Sequence, residues 1–430
     1  MRRTRALSAA ILALAAALAP ADAPDARERS LEYQRQAIEA YRRKDWAAFR
    51  DNALKAEALR PGVARLTYNA ASAEALNGNA PEAARRIAEL LRRRLDFGFE
   101  EDADFASVRG GEAFAEVRRL LAELRRPVGG STVAFRLPEK DLLTEGIAYD
   151  AASKAFFVSS VHRRKIVRRA ADGAVSDFVG EGKDGLDGVL ALAVDAPRRR
   201  LLAGSAALPQ MTGFARARDG ESALFAFDLA SGKRVGRWPL PADGKPHAAN
   251  DLLVAENGDV LVTDSLGSGI YRLRAGAAAF ETVVAPGVFR SPQGIAVGPR
   301  GRLYVADWGH GLFWLDDSGK RHEIDSPPDV PLIGIDGLVA RGGTLYVTQN
   351  GISPHRVAAL SLDESGDRVV SGRILDMNDP EFAEPTLLAL VGEDLYVVGR
   401  SQWGAFDEKT GAVDAKKLRE PAVLKIPTGK

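Results

Sequence analysis

Two hydrophobic periods divide the chain. From about residue 30 to 125, apolar residues recur at helical spacing among Ala, Leu, Glu and Arg, with few β-branched residues. That pattern marks packed amphipathic helices. It predicts helices near 31–44, 46–59, 63–77, 80–95 and 112–126, with Pro61-Gly62 as a break and Asn79 and Pro81 at a helix start. From residue 131 onward, short apolar runs of strand length alternate with Gly-bearing turns. The stretch Ser291–Trp308, SPQGIAVGPRGRLYVADW, is the clearest. It reads as a strand at Gly294–Val297, a tight turn, and a second strand at Leu303–Ala306 closed by Asp307.

This hairpin recurs as EGIAYDAASKAFFVSS from Glu145, LALAVDAPRRRLLAGS from Leu190, NDLLVAENGDVLVTDS from Asn250, DGLVARGGTLYVTQN from Asp336 and TLLALVGEDLYVVGR from Thr386. Most steps between copies are 43 to 50 residues; the longer step before Asn250 contains an insertion, placed at Ala206–His247. About four short strands per repeat of that length is the period of a propeller blade, and six copies imply six blades. Pro127-Val128-Gly129-Gly130 reads as a linker. The strand predicted at Thr132–Leu137 is expected to complete the sixth blade beside Ala422–Ile426, closing the ring and hiding open strand edges. The expected architecture is therefore a mainly β six-bladed propeller over 131–430, preceded by an α-helical, repeat-like domain over 30–127.

The chain is long enough for two domains, and its 59 basic and 58 acidic residues nearly cancel. No basic footprint argues for nucleic acid or an anionic membrane surface. Cysteine is absent, which removes disulfides, thiolate metal sites, cysteine nucleophiles and a lipoprotein anchor together. Arg2, Arg3 and Arg5 precede the apolar run Ala6–Leu18 and the small-residue pattern at Ala19–Ala23. That order predicts a signal peptide over 1–23 and an exported protein, periplasmic or secreted. The apolar run is too short to be comfortable as a membrane span, and no stable membrane anchor is expected.

In a propeller the first strand of each blade lines the central channel, and the starts of these strands share one face. Registered on the hairpin, those positions are Glu145, Leu190, Asn250, Gln293, Asp336 and Thr386. Five carry side-chain oxygen. Two are carboxylates near one axis, which raise each other's pKa or require a cation between them. Hard oxygen ligands suit calcium, magnesium or manganese before zinc. Against this stand two plainer readings: the side chains cap the turn into the strand, or Arg163, Arg164 or Lys165 neutralises the carboxylates.

Glu145-Gly146, Asn250-Asp251 followed by ENGDVLVTD, and Asp336-Gly337, each entering a strand, resemble the senescence marker protein/gluconolactonase family. The likeness covers about 131–427. It implies a six-bladed propeller that hydrolyses small-molecule sugar lactones or related esters with a divalent cation, calcium first, with magnesium, manganese or zinc as alternatives. By resemblance, Glu145, Asn250 and Asp336 match metal positions, Asp336 also assists proton transfer, and Asn250 lies near substrate. Gln293 stands where the family has a ligating asparagine. The segments VTDSLGSGIYRL and VADWGHGLFWL resemble NHL repeats, which bind more often than they catalyse. In the N-terminal region, Ala40-Tyr41 with Trp46-Ala47-Ala48, and Ala75-Leu76 with Pro81-Glu82-Ala83, resemble tetratricopeptide repeats at an offset of 35 residues. They imply either a surface for a protein partner or a helical cap.

His162, His310 and Trp308 fall in loops on the inferred metal face and are candidate substrate-binding residues, each with a plain surface or packing reading beside it. His247 lies in a loop on the same face, and Trp403 follows a second strand as Trp308 does. His322 reads as structural or exposed, and His355 is left open. No GxSxG elbow, Walker loop or HExxH motif is present. The chemistry expected is a metal-dependent lactonase or esterase; the alternative is a non-catalytic ligand- or protein-binding propeller.

Overall fold

The computed structural model describes residues 26–429. The signal peptide expected over 1–23 lies outside the described residues. No helix among the described residues is long and apolar enough to cross a membrane.

The helical spacing translates into α1 (Ala26–Arg42), α2 (Trp46–Leu59), α3 (Ala64–Leu76), α4 (Ala80–Arg92) and α5 (Ala115–Leu124). The chain forms two compact units, one of residues up to 87 with 102–113, the other of 88–101 with 114 to the C-terminus. In the first unit, Asp45 caps α2 by accepting from the Ala48 N–H at 3.1 Å. The buried Ser30 hydroxyl ties α1 to the Ala56 carbonyl of α2 at 3.0 Å. Alanines 70, 71, 73 and 75 are buried along α3, where small side chains let helices approach closely.

The second unit is dominated by six antiparallel sheets. Blades 1 to 4 have four strands each and begin with the innermost strands Ile147–Asp150, Gly188–Asp195, Ala249–Val254 and Pro292–Val297. Blade 5 begins at Ile335–Arg341 and blade 6 at Leu388–Val391. In blade 6, Thr132–Arg136 pairs antiparallel with Ala422–Pro427, so an N-terminal strand and the last strand close the ring as the sequence implied. The linker reading of 127–130 needs correction. Val128 and Gly129 pair with Met377 and Asp376 as a fifth, outermost strand on blade 5. The stretch 206–247 is also less foreign than an insertion. It holds the two outer strands of blade 2, Ser222–Asp228 and Arg234–Pro239, and the surplus lies in the loops around them.

The core is not one cluster but a series of sheet-on-sheet interfaces between neighbouring blades. Phe157, Phe225 and Phe227 fill the gap between blades 1 and 2, Tyr304, Leu345 and Val347 that between 4 and 5, and Phe156, Val158 and Val423 that between 6 and 1. Innermost strands are mainly buried, blade 6 least, whereas the outermost strands Arg234–Pro239 and Thr132–Arg136 are largely exposed. This explains why inner strands read as apolar runs (LALAV, GIAV) and outer strands alternate. Around the axis these runs, rich in alanine, leave a channel of about 360 Å³.

Candidate active site

One local device builds the mouth of the channel. The pairing of first and second strands slips between Val189 and Ala191, Ala249 and Asp251, Pro292 and Ile295, and Ile335 and Leu338. The residues in these bulges are the candidates Leu190, Asn250, Gln293 and Asp336. A bulge re-aims the side chain that regular pleating would have sent into a blade interface. Hydroxyls lock the irregularity. Ser159, Thr263 and Thr348 accept from the N–H groups of Gly146 (2.7 Å), Asp251 (3.0 Å) and Gly337 (2.7 Å). The same hydroxyls donate to the Leu190, Gln293 and Thr386 carbonyls of the following blades at 3.2, 2.7 and 2.5 Å. The Thr386 hydroxyl then reaches the Glu145 carbonyl at 2.9 Å, joining blade 6 to blade 1.

Glu145 and Asp336 are 4% and 5% exposed. The Trp403 indole donates to Glu145 Oε2 at 2.7 Å, and the Asn350 amide donates to Asp336 Oδ2 at 2.5 Å. Asn350 is itself held by Trp308 Nε1 at 2.8 Å. Asp336 Oδ1 and Asn250 Nδ2 are buried without any partner. Burial, then the facing Asp336 and Glu384 carboxylates, push the Glu145 carboxyl well above the usual range, against the Trp403 bond. Burial and Glu384 likewise raise Asp336, against the Asn350 bond. Burial first, with Asp336 adding, also raises Asp251 to about 7, although its oxygens accept from the Leu252 and Ile295 N–H groups.

Among the described residues, no basic side chain pairs with Glu145 or Asp336. Arg163 pairs with Asp141, Arg164 lies near Glu181, and Lys165 pairs with Glu139 and Asp177. The neutralising role weighed for these three residues is thus taken up elsewhere. A buried carboxylate pair with an orphaned oxygen and no counter-charge fits a cation. Among the described residues no group of three or more His, Cys, Asp or Glu is spaced to hold a metal. The Asn250 and Gln293 amides, backbone and water would have to complete the shell, a donor set that suits a hard cation such as calcium. The Asn250 oxygen accepts from the Ser265 hydroxyl at 3.3 Å. Exchanging the two ends of this amide would satisfy its nitrogen on Ser265 and free the oxygen as a ligand. Gln293 is half-buried, and its amide nitrogen donates to Ser291 Oγ at 3.0 Å.

A cavity of about 480 Å³ adjoins the mouth. His355, Glu384, Arg400, Trp403 and Phe406 line it. Burial raises the Glu384 carboxyl, and the residue sits at φ +108. Burial and the adjacent Arg356 charge depress His355, so it is neutral near pH 7. The sequence reading leaves His355 open and does not single out Glu384 or Asn350. Asn350 had a legible signal, because it directly follows a second strand as Trp308 does. His355 and Glu384 sit in irregular loops with no repeat register.

The other candidates spread out. Trp308 is 42% exposed and joins the site through Asn350. His162 Nδ1 is 2.6 Å from the Gln210 carbonyl, and its ring packs on Phe406. The His310 side chain is half exposed, 3.7 Å from Asp307. His247 is buried between Asp264 (2.5 Å) and Asp243 (3.0 Å). His322 stacks on Trp314, as a structural reading requires.

A model of the NHL repeat matches residues 289–314, the first three strands of blade 4. No curated protein matches the chain. Among solved structures, a gluconolactonase from Xanthomonas campestris is 19% identical over 70% of this chain and 98% of its own, with a TM-score of 0.45. A luciferin-regenerating enzyme is 14% identical over 70% of this chain and 95% of its own, with a TM-score of 0.49. A streptogramin B lyase is 14% identical over 69% and 97%, with a TM-score of 0.46. The three carry different enzyme names, and no reaction follows from likeness at this level, because one fold hosts many chemistries.

Proposed function

We propose that this chain is an exported, metal-dependent hydrolase of small-molecule lactones or related esters, with a divalent cation, calcium first, at the channel mouth. The observation that carries the reading is the buried Glu145–Asp336 pair, which has an orphaned oxygen and no basic partner. Glu145, Asp336 and the Asn250 amide would hold the cation, with Gln293 as the outer candidate. When bound, such a cation polarises the ester carbonyl and lowers the pKa of water.

The chain's own groups do the rest. Trp403 and Asn350 hold the two carboxylates in place. Asp336, which would also ligate the cation, accepts a proton from the attacking water. The water oxygen bonds to the carbonyl carbon, the ring C–O bond breaks, and the leaving oxygen takes the proton that Asp336 had accepted, giving a hydroxy acid and restoring the carboxylate. Asn250 orients substrate, and Trp308, His162 and His310 are assigned to its binding. His355, which lines the adjoining cavity, is the candidate to relay a proton. Export rests on the charge, apolar run and small residues of positions 1–23.

Calorimetric titration of chelator-treated protein with calcium, beside Glu145→Gln and Asp336→Asn, tests the reading. Saturable binding lost in both variants, with lactone hydrolysis lost in Asp336→Asn, is the expected result. No cation binding by folded wild-type protein would overturn it and favour a non-catalytic propeller, with the helical region as the surface for a protein partner.

A further inference from the structure

Away from the channel mouth, a cavity of about 460 Å³ opens beside blade 5. Its wall carries four arginines, Arg92, Arg94, Arg356 and Arg373, and one acid, Asp329. Arg356 heads the third strand of the blade, Arg356–Leu362, and is 1% exposed. Arginine is almost never buried to this degree without a carboxylate. Here Nε donates to the Pro354 carbonyl at 3.1 Å and Nη2 to the Arg94 carbonyl, and no described carboxylate forms a salt bridge with the group. These neutral carbonyls engage Nε and Nη2 but leave the charge uncompensated.

The neighbours add to that charge. Burial and the nearby Arg94 guanidinium depress the Arg356 pKa to about 9. Arg373 also donates to a backbone carbonyl, that of Thr428. Arg92 pairs at 3.4 Å with Glu116, with both side chains about half exposed, a contact worth little in water. Asp329 sits exposed at the rim. Such a cavity gathers three exposed guanidinium groups around one buried one, and guanidinium forks match the planar geometry of carboxylate and phosphate oxygens.

We infer that this cavity is an anion-binding site for a small molecule carrying at least two oxyanion charges, phosphate or carboxylate, with Arg356 as its buried cation and Arg94 and Arg373 as its further contacts. The site is separate from the channel mouth and does not depend on the reaction proposed there. It is tested by calorimetric titration of the full chain, in metal-free buffer at constant ionic strength, with inorganic pyrophosphate and, separately, citrate. One saturable site for at least one probe is expected. Its affinity should fall roughly tenfold or more in Arg94→Gln and in Arg373→Gln, the loss of one charge-assisted contact. Binding of pyrophosphate alone assigns the site to phosphates, and binding of citrate alone to carboxylates. No saturable binding of either probe up to about 10 mM, or affinity unchanged in both variants, overturns the inference. Arg356→Gln is expected to abolish binding; if it fails to fold, the other two variants carry the test.

Discussion

Asp336→Asn should make the metal-free protein more stable and the calcium-loaded protein relatively less so. Asp336 is 5% exposed; Oδ2 accepts from Asn350, Oδ1 has no partner, and Glu145 faces it. Asparagine keeps the shape and an acceptor for Asn350 but removes the charge. Two like charges about 4 Å apart repel by about 4 kcal/mol at an effective dielectric of 20. Part of this is already relieved where one carboxyl retains its proton, so a gain of about 1–3 kcal/mol remains. At roughly 2 °C per kcal/mol for a large domain, the midpoint should rise by about 2–6 °C in chelator. Calcium at about a hundred times its Kd should stabilise the wild type by about 2.7 kcal/mol and the variant by nothing. Scanning calorimetry near pH 8, in chelator and in calcium, measures all four values. A variant less stable than wild type in chelator would refute the claim of an uncompensated carboxylate pair. An equal calcium gain in both proteins would refute the site.

Two further predictions concern the frame around the mouth. Thr263 is fully buried and links the Asp251 N–H to the Gln293 carbonyl. Thr263→Val strands both groups and should cost about 2–4 kcal/mol by urea unfolding, with Thr263→Ser recovering most of it; a loss below about 0.5 kcal/mol would show that the hydroxyl is not a joint. For His247, burial works to lower the pKa, but Asp264 and Asp243 outweigh it and hold the imidazole above its ordinary value. That stabilisation is complete below the unfolded pKa of about 6.5 and is lost as pH rises through the higher folded value. The midpoint gap between wild type and His247→Gln should therefore narrow above about pH 6.5; a gap that widens with pH would contradict the assignment.

Much of the fold was legible because repetition averages out local ambiguity. A single apolar run such as GIAV could be a strand or part of a buried helix, but six such runs, each followed by a turn and a second strand, admit one architecture. Ring closure was legible for the same reason: Thr132–Leu137 lacks a hairpin partner nearby, and the last blade lacks an outer strand. The two-residue strand at Val128–Gly129 was not, because its pairing is set by the free edge of blade 5 and not by its own residues. The candidate site was half legible. Glu145, Asn250 and Asp336 share a register position, so period and chemistry pointed to them together. Glu384 and His355 lie in irregular loops and reach the cavity only because the ring folds those loops over the mouth.

The helical and extended segments, the number of blades and the side chains at the strand starts all follow from the order of residues. These depend on local spacing and on a pattern repeated within the chain. The folded ring alone brings the bulged side chains around one axis, turns Arg163, Arg164 and Lys165 to other acids, and buries Arg356 without a counter-charge. Charge compensation and burial belong to pairs of groups, and pairs far apart in the chain are made by the closing of the ring.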